Sequence, residues 1–256
     1  MTKTALVTGG ATGLGRDVAI QLAQRGVAVA VADISEGDLQ GTLERMKGGA
    51  TTHLAIHADL TAAGAPARVI AQCCDKWGHL DLLVNNAAFG IIEPFFETTA
   101  EVWTRTLAIN VTAVALLTAV AGGEMLKRRS GRIVNLTSPA ARMALPHYAA
   151  YAASKAAVDS ITRASAVALG PHGVLVNSVS PGMMDTEMQR STEARLAELE
   201  NRSDVQQFLE ERTRRVPLGR RAEISEVAAV VVWLLLDAPN YITAARLNAS
   251  GGLDKD

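Results

Sequence analysis

Short apolar runs dominated by β-branched residues and leucine recur along the chain: Ala5-Leu6-Val7, Val27 to Val31, His53 to Ala58, Leu82-Leu83-Val84, Arg132 to Leu136, Val174 to Val179 and Arg246-Leu247-Asn248. Longer alanine-rich stretches separate them. Brief continuous apolar runs predict strands covered on both faces. Their regular alternation with helical stretches predicts a parallel sheet joined by right-handed crossovers. The expectation is a single α/β domain over 1–256, with a seven-stranded parallel sheet and helices on both faces.

Most of these runs end in polar or glycine-containing turns: Thr8-Gly9-Gly10, Asp33, Asp59, Asn85-Asn86 and Ser180-Pro181-Gly182. Ligands of open α/β sheets bind outside the carboxyl ends of the strands, so these turns are expected to line one crevice. Asp185 to Arg221 breaks the rhythm, being rich in Glu and Arg and poor in strand residues. It is either a solvated pair of mixed-charge helices or, from its place directly after the sixth strand, a substrate lid at about 185–221.

Composition narrows the picture. Hydrophobic residues make up 48% and aromatics 4%, so the core is expected to be built of Ala, Val, Leu and Ile. A formal net charge of −1 gives no electrostatic attraction to nucleic acid or acidic membranes. Met1 to Thr4 run into the first strand without a charged leader or cleavage site. No apolar stretch is read as reaching the ~18 to 20 residues of a membrane span, Val227 to Leu236 being about half of that. The adjacent Cys73 and Cys74 suit a reducing compartment rather than a disulfide, and a cytoplasmic protein is expected. The five histidines are scattered, without paired ligand spacing, so no metal is expected.

The first strand leads into Thr8-Gly9-Gly10-Ala11-Thr12-Gly13-Leu14-Gly15-Arg16, followed by a helix over Asp17 to Arg25. Glycines serve there for a tight turn, for backbone approach to a pyrophosphate and for packing of helix on strand. The diphosphate would sit at the helix N-terminus, where free N–H groups and the helix dipole favour negative charge. Such a turn alone is weak evidence; its place after the first strand and before a helix gives it weight. Asp33 ends the second strand eighteen residues after Gly15, near the ~20 expected for the acid that binds the adenosine ribose. A carboxylate accepts from the 2′ and 3′ hydroxyls and repels a 2′-phosphate. No basic residue stands at Thr12 or Ile34, and Arg16 reads as an outward surface charge. NAD is the expected cofactor.

After the fifth strand come Ser138 and then Tyr151-Ala152-Ala153-Ser154-Lys155, opening an alanine-rich helix. The i, i+4 spacing puts Tyr151 and Lys155 on one helix face. A phenol of reference pKa about 10 is a poor base at neutral pH unless a cation favours its ionised form, and Lys155 supplies one. Ser138 can donate to an oxygen on which charge builds. Taken singly, each feature is common on ordinary helices and strand ends. Tyr148 has Ala152 at i+4 and lacks the cation.

Together these residues resemble the short-chain dehydrogenase/reductase family over essentially the whole chain. The matching elements are Thr8-Gly9-x-x-x-Gly13-x-Gly15, Asp59-Leu60, Asn85-Asn86-Ala87, Asn110, Ser138, Tyr151-x-x-x-Lys155, Asn177 and Pro181-Gly182-x-x-x-Thr186. The resemblance implies a single Rossmann-type domain in which Tyr151 is the general acid/base and Ser138 orients the substrate oxygen. Lys155 would lower the tyrosine pKa and hold the nicotinamide ribose, and Asn110, read as mid-helix, would hold a water linking Lys155 to solvent. The implied cofactor contacts are Gly9, Thr12, Gly13, Leu14 and Gly15 at the diphosphate, Asp33 and Ile34 at the ribose, and Asp59 and Leu60 at the adenine. Asn86 and Ala87 would lie on the adenosine ribose side, and Pro181, Gly182, Met184 and Thr186 towards the carboxamide. Two positions depart from the family pattern: Ala88 stands where glycine is usual, with a Cβ that could crowd the cofactor, and Thr243-Ala244 replaces Thr-Gly.

The expected function is hydride transfer between nicotinamide and the carbon of a secondary alcohol or ketone. Alternatives are an NADPH-dependent 3-oxoacyl thioester reductase and a non-catalytic NAD-binding protein; a methyltransferase would have no use for the Tyr and Lys pair. Sequence neighbourhood nominates Phe89, Ala140, Met143, His147, Met183 and Met188 as a moderately apolar substrate wall. Small residues along Glu101 to Met125 and Tyr151 to Leu169, including Gly122 and Gly123, predict a two-fold helix interface within a homotetramer, since glycine inside a helix is tolerated where another backbone packs close.

Overall fold

The computed structural model describes residues 2–47 and 52–254; Met1, which opens the segment read as lacking a leader, lies outside them. The elements run β1 (Thr4–Thr8), α1 (Gly13–Gln24), β2 (Ala28–Asp33), α2 (Glu36–Arg45), β3 (Leu54–His57), α3 (Ala65–Trp77), β4 (Leu82–Asn85), α4 (Ala100–Leu107), α5 (Val114–Arg128), β5 (Gly131–Leu136), α6 (Ala149–Leu169), β6 (Val174–Pro181), α7 (Glu187–Leu199), α8 (Val205–Arg214), α9 (Ile224–Leu236) and β7 (Arg246–Ala249). The strands form one seven-stranded sheet in the order β3-β2-β1-β4-β5-β6-β7, every pair parallel. All seven predicted runs are strands of this sheet. The order turns back between β1 and β4, which is where a crevice opens.

Alternate strand residues point to opposite faces, and the core divides accordingly. Ala5, Val7, Val29, Val31, Leu82, Val84, Val134, Leu136 and Val179 join the residues of α1 and α9 on one side. Leu6, Ala30, Ala32, Leu83, Ile133, Val174 and Val176 join those of α3, α5 and α6 on the other. The buried side chains are almost entirely aliphatic, as the low aromatic content requires.

Three local features differ from the sequence reading. First, α1 begins at Gly13 rather than Asp17, so Gly13 and Gly15 lie in its first turn. A Cβ on Gly15 would stand 2.1 Å from the Gly9 carbonyl oxygen, so close packing inside the turn requires glycine there. Second, Ala100–Arg128 is one continuous 29-residue helical run, long and apolar enough to pass for a membrane span, contrary to the expectation of none. Its α5 part packs on β4, β5, α3 and α6, with Leu117, Thr118, Ala121, Gly122 and Met125 buried. Third, Gly122 meets the Leu169 side chain of this same chain, where a Cβ would approach to 2.9 Å, while nothing lies within 4 Å of a Cβ at Gly123. The close approach at Gly122 thus serves packing of α5 on α6.

Cys73 and Cys74 are free thiols. Burial pushes the Cys73 thiol up to about 12, and Cys74 also upward, which disfavours the thiolate form of each.

Gly15→Ala is expected to lose ~2 kcal/mol or more of unfolding free energy, since its Cβ would collide with backbone that cannot give way. Gly123→Ala is expected to gain up to ~1 kcal/mol from helix propensity. Equilibrium denaturation of both variants checks the pair.

Candidate active site

The carboxyl ends of the strands enclose a cleft of about 760 Å³. Residues far apart in sequence meet along it: Gly9, Thr12, Gly13 and Leu14 after β1, Asp33 and Ile34 after β2, Asp59 and Leu60 after β3, and Asn86, Ala87 and Ala88 after β4. Ser138 follows β5, Tyr151 and Lys155 come from α6, and Pro181, Gly182, Met184, Thr186 and Met188 follow β6.

At one end Asp33 is held at both oxygens. Its Oδ2 accepts from Ala11 N at 3.1 Å and its Oδ1 from Ser35 N at 3.1 Å, so the carboxylate is fixed against the glycine turn. Thr12 makes no side-chain cap on α1, which leaves the first-turn N–H groups open to an anion. Asp59 closes its own turn by accepting from Thr61 N at 2.8 Å and Thr61 Oγ1 at 2.7 Å, which holds its pKa below the usual value. Asn86 Nδ2 donates to the Thr8 and Gly9 carbonyls, each at 3.0 Å. It thereby fixes the end of β4 to the glycine turn.

Arg16 was expected to face outward; it lines this cleft instead. Its Nε donates to Thr42 Oγ1 at 3.1 Å and its Nη2 lies 3.5 Å from Asp38 Oδ1. Its contacts with Thr42 and Asp38 on α2 hold it there.

At the other end Ser138, Tyr151 and Lys155 converge. Ser138 lies just past β5 in extended backbone and accepts from Ala140 N at 3.2 Å. Its side chain is near enough to the Tyr151 phenol to act on its pKa. Thr137 Oγ1 donates to the Lys155 carbonyl at 3.2 Å, which ties the end of β5 to α6. Lys155 is buried, and its Nζ donates to the Leu136 carbonyl at 2.9 Å and stands 5.6 Å from the Tyr151 ring centroid.

The electrostatics correct one expectation. Burial pushes the Tyr151 phenol up to about 12, with the Ser138 side chain opposing the rise. Burial likewise pulls Lys155 down to about 8, with Asp159 opposing. Lys155 is on the expected face, but its ammonium is directed at a backbone carbonyl. Desolvation disfavours both charged forms, and for the protein alone it is the largest influence on each.

Asn110 does not line the cleft. It sits at 0% exposure in a π-helical turn, Ala108–Ala113, between α4 and α5. Its Oδ1 accepts from Phe89 N at 2.8 Å, and its Nδ2 donates to Phe89 O at 2.8 Å and Ser154 Oγ at 2.9 Å. The mid-helix Asn is explained by this wider turn, a feature frequent at functional sites.

Of the nominated substrate wall only Met188 lines the cleft. Ala140 and Met183 are buried, and Met143 is exposed. Arg105 covers the Phe89 ring at 4.1 Å. His147 accepts at its carbonyl from Glu93 N at 3.2 Å, and its Nδ1 is buried without a partner among the described residues. Gly15 is likewise behind the wall. Residues that sequence reasoning passed over include Ile109, Thr137, Asp38, Ile224 and the strip Asp185, Glu187 and Gln189. The strip had a signal: Thr186 caps α7 by accepting from Gln189 N at 3.2 Å, and Glu187 lies in the first turn.

The charge-rich insertion forms α7 and α8, and it is not simply a solvated pair. Glu193 is buried and accepts from Arg221 at 2.9 and 3.0 Å, from Arg212 at 3.4 Å and from Gln189 at 2.9 Å. Leu196, Ala197 and Phe208 pack with Ile92 and Tyr148. A Cβ on Gly13 would meet the Thr186 methyl at 3.6 Å, so the start of the insertion stands across the cleft from the glycine turn. Among the described residues no cluster of His, Cys, Asp and Glu suits a metal ion.

A family model described as Enoyl-(Acyl carrier protein) reductase matches residues 9–254. The sorbitol dehydrogenase of Cereibacter sphaeroides is 34% identical over 253 residues, covering 98% of this chain and 96% of the relative. The crystal structure of NAD+-bound xylitol dehydrogenase superposes with a TM-score of 0.93 at 29% identity, covering 98% of each chain. That of actinorhodin polyketide ketoreductase with NADPH gives 0.94 at 31%, covering 100% of this chain and 98% of that one. With the parallel sheet, the glycine turn and the Ser, Tyr and Lys at one cleft, these likenesses place the chain in the short-chain dehydrogenase/reductase family of oxidoreductases.

Proposed function

We propose that the protein is an NAD-dependent dehydrogenase and ketone reductase acting on the carbinol carbon of a small secondary alcohol. The observation that carries this reading is one cleft with a fixed carboxylate, Asp33, at one end and the Ser138, Tyr151 and Lys155 group at the other. The cleft's size and its run of backbone turns suit an extended dinucleotide. Asp33 would accept from the adenosine ribose hydroxyls, with Ile34 beside it, and Asp59 and Leu60 would border the adenine. The uncapped start of α1, with Gly9, Gly13 and Leu14, would receive the diphosphate. Asn86, Ala87, Pro181, Gly182, Met184 and Thr186 would border the remainder.

When bound, oxidised nicotinamide accepts the hydride and brings a positive charge. Tyr151 takes the proton from the substrate hydroxyl during oxidation and returns it during reduction. Ser138, beside the phenol, holds the substrate oxygen. Lys155 keeps an ammonium at the site, favours the ionised phenol and would bind the nicotinamide ribose hydroxyls. Asn110 acts at a distance, holding Phe89 and Ser154 in place. The insertion 185–221 serves as the wall or lid over the substrate, built as a unit by the buried Glu193. Exposed Leu107, Leu116 and Val167 on α4, α5 and α6 support assembly into a homotetramer through these helices.

One observation favours a second reading, an NADPH-dependent 3-oxoacyl thioester reductase. Arg16 lines the cleft and could meet a 2′-phosphate, but its side chain is already engaged by Thr42 and Asp38.

General acid/base catalysis contributes ~10² to 10⁴-fold, so Tyr151→Phe is expected to lose at least ~100-fold in kcat. NADH binding, read by fluorescence, should stay near the wild-type value. Near-full activity in that variant would remove the mechanism. Cofactor choice is checked by kcat/KM with NAD and NADP: NAD should lead, and Asp33→Ala should narrow the ratio by ~10-fold or more. Equal or better use of NADP by the wild type would favour the second reading.

The depressed Lys155 pKa carries a stability sign. Its folded value of about 8 lies below its ordinary 10.5, so between these pH values the unfolded chain holds a proton that the folded chain has released. Stability therefore rises with pH across that window. Relative to Lys155→Met, the wild type should gain up to roughly 3 kcal/mol between pH 8 and pH 10.5, read from denaturation midpoints at both ends.

A further inference from the structure

Behind the catalytic group lies a buried ionic cluster that the proposed chemistry does not use. Arg246, on β7, is 9% exposed at its side chain, and its partners Asp159 and Asp254 are 7% and 3% exposed. Its Nη2 donates to the Ser138 carbonyl at 3.0 Å and to Ser180 Oγ at 3.0 Å, and is paired with Asp254. Its Nη1 donates to Asn248 Oδ1 at 2.8 Å. Its Nε lies 3.2 Å from Asp159 Oδ2, an ionic contact in which the N–H is not aligned for a hydrogen bond. Asp254 Oδ2 also accepts from Ser180 Oγ at 3.1 Å, and Asp254 N donates to Ser250 Oγ at 3.0 Å.

The cluster joins parts that the sequence holds far apart. Ser138 follows β5, Ser180 ends β6, Arg246 begins β7, Asp159 is on α6 and Asp254 follows β7. Asp159 is one helical turn beyond Lys155 and two beyond Tyr151. One guanidinium thus ties the backbone of Ser138 to the helix that carries Tyr151 and Lys155. Two carboxylates stand against one guanidinium, and one of them, Asp159, is the charge that opposes the fall of the Lys155 pKa. Among the described charged groups, Lys155 on α6 is the one that feels the cluster, through Asp159. The cluster's other partners, Ser138, Ser178, Ser180 and Asn248, are neutral.

A buried ion pair of this kind adds little net stability over an apolar replacement, because desolvation offsets the attraction. Its effect on geometry and local potential is what distinguishes it from such a replacement. We propose that Arg246, with Asp159 and Asp254, is a positioning device for the reaction: it fixes Ser138 relative to Tyr151 and sustains the charge on Lys155. This rests on the function proposed above, and none of the three residues touches the substrate.

The test uses the full chain and a readout that needs no turnover. In the absence of nucleotide, the pH dependence of Lys155 acetylation by acetic anhydride is followed by peptide mass spectrometry. Asp159→Asn removes negative charge beside the ammonium, so the free amine should appear at lower pH, the curve moving down by about half to one unit. In turnover, the alkaline limb of the kcat profile should move the same way. Arg246→Met should lower kcat ~10-fold or more with NADH affinity within about twofold, and Arg246→Lys should recover part of the loss. Should Arg246→Met fail to fold, the near-isosteric Asp254→Asn is expected to lower kcat in the same sense. An unmoved labelling curve in Asp159→Asn would overturn the electrostatic part. Variants that lose thermal stability but keep the wild-type kcat and pH profile would reduce the cluster to a structural tether and overturn the proposal. If the wild type oxidises no alcohol, the proposed function fails by itself, while the labelling shift still reports on the cluster.

Discussion

A parallel sheet covered on both faces leaves its chain nowhere to turn except at its two ends, and all carboxyl ends emerge at the same one. That constraint governs this protein. The strands β1 to β6 contribute alternate side chains to two separate aliphatic cores, and the turns that must be polar accumulate along a single edge. A cleft lined by segments from residue 9 to residue 224 follows from that arrangement before any particular chemistry is considered. The order reversal between β1 and β4 widens the edge where the glycine turn, Asp33 and Asn86 meet.

Within the cleft, desolvation is the dominant electrostatic influence. It pushes the Tyr151 phenol up to about 12 and the Lys155 ammonium down to about 8, in each case towards the neutral form. The site counters it by a polar neighbour and a nearby charge: Ser138 at the phenol, Asp159 at the ammonium. Cationic nicotinamide would act on the phenol in the same favourable direction as Lys155. A reactive centre that is difficult to ionise alone becomes responsive to its partner molecule, because the incoming charge enters a low-dielectric region where it has large effect.

Several buried polar side chains are paired with one another across the elements. Asn85 donates to Asn135 at 2.8 Å and to Thr118 at 3.0 Å, and Asn135 donates onward to Thr162 at 2.9 Å, linking β4 and β5 to the helices above them. Asn177 accepts from Ala245 N and donates to Ile242 O, each at 3.0 Å, and so positions the turn into β7. In that turn Ala244 takes a φ of +60° where the family usually has glycine. A left-handed alanine costs about 1 kcal/mol, and the Asn177 bonds hold it there.

The strands, their order of appearance, the glycine turn and the Ser, Tyr and Lys group were legible in the sequence, because each depends on local periodicity or on spacing within one element. Side-chain direction was not. Arg16 is held inward by Thr42 and Asp38 on α2, Asn110 occupies a π-helical turn that no spacing announces, and Gly122 serves a contact with Leu169 inside the chain. The nominated substrate wall was chosen by closeness along the chain, and of it only Met188 is among the residues lining the cleft. Tertiary packing alone decided the two pKa shifts, since burial is a property of the assembled surroundings. It likewise brought together Asp159, Arg246 and Asp254, whose attraction acts only once α6, β7 and the segment beyond it lie side by side.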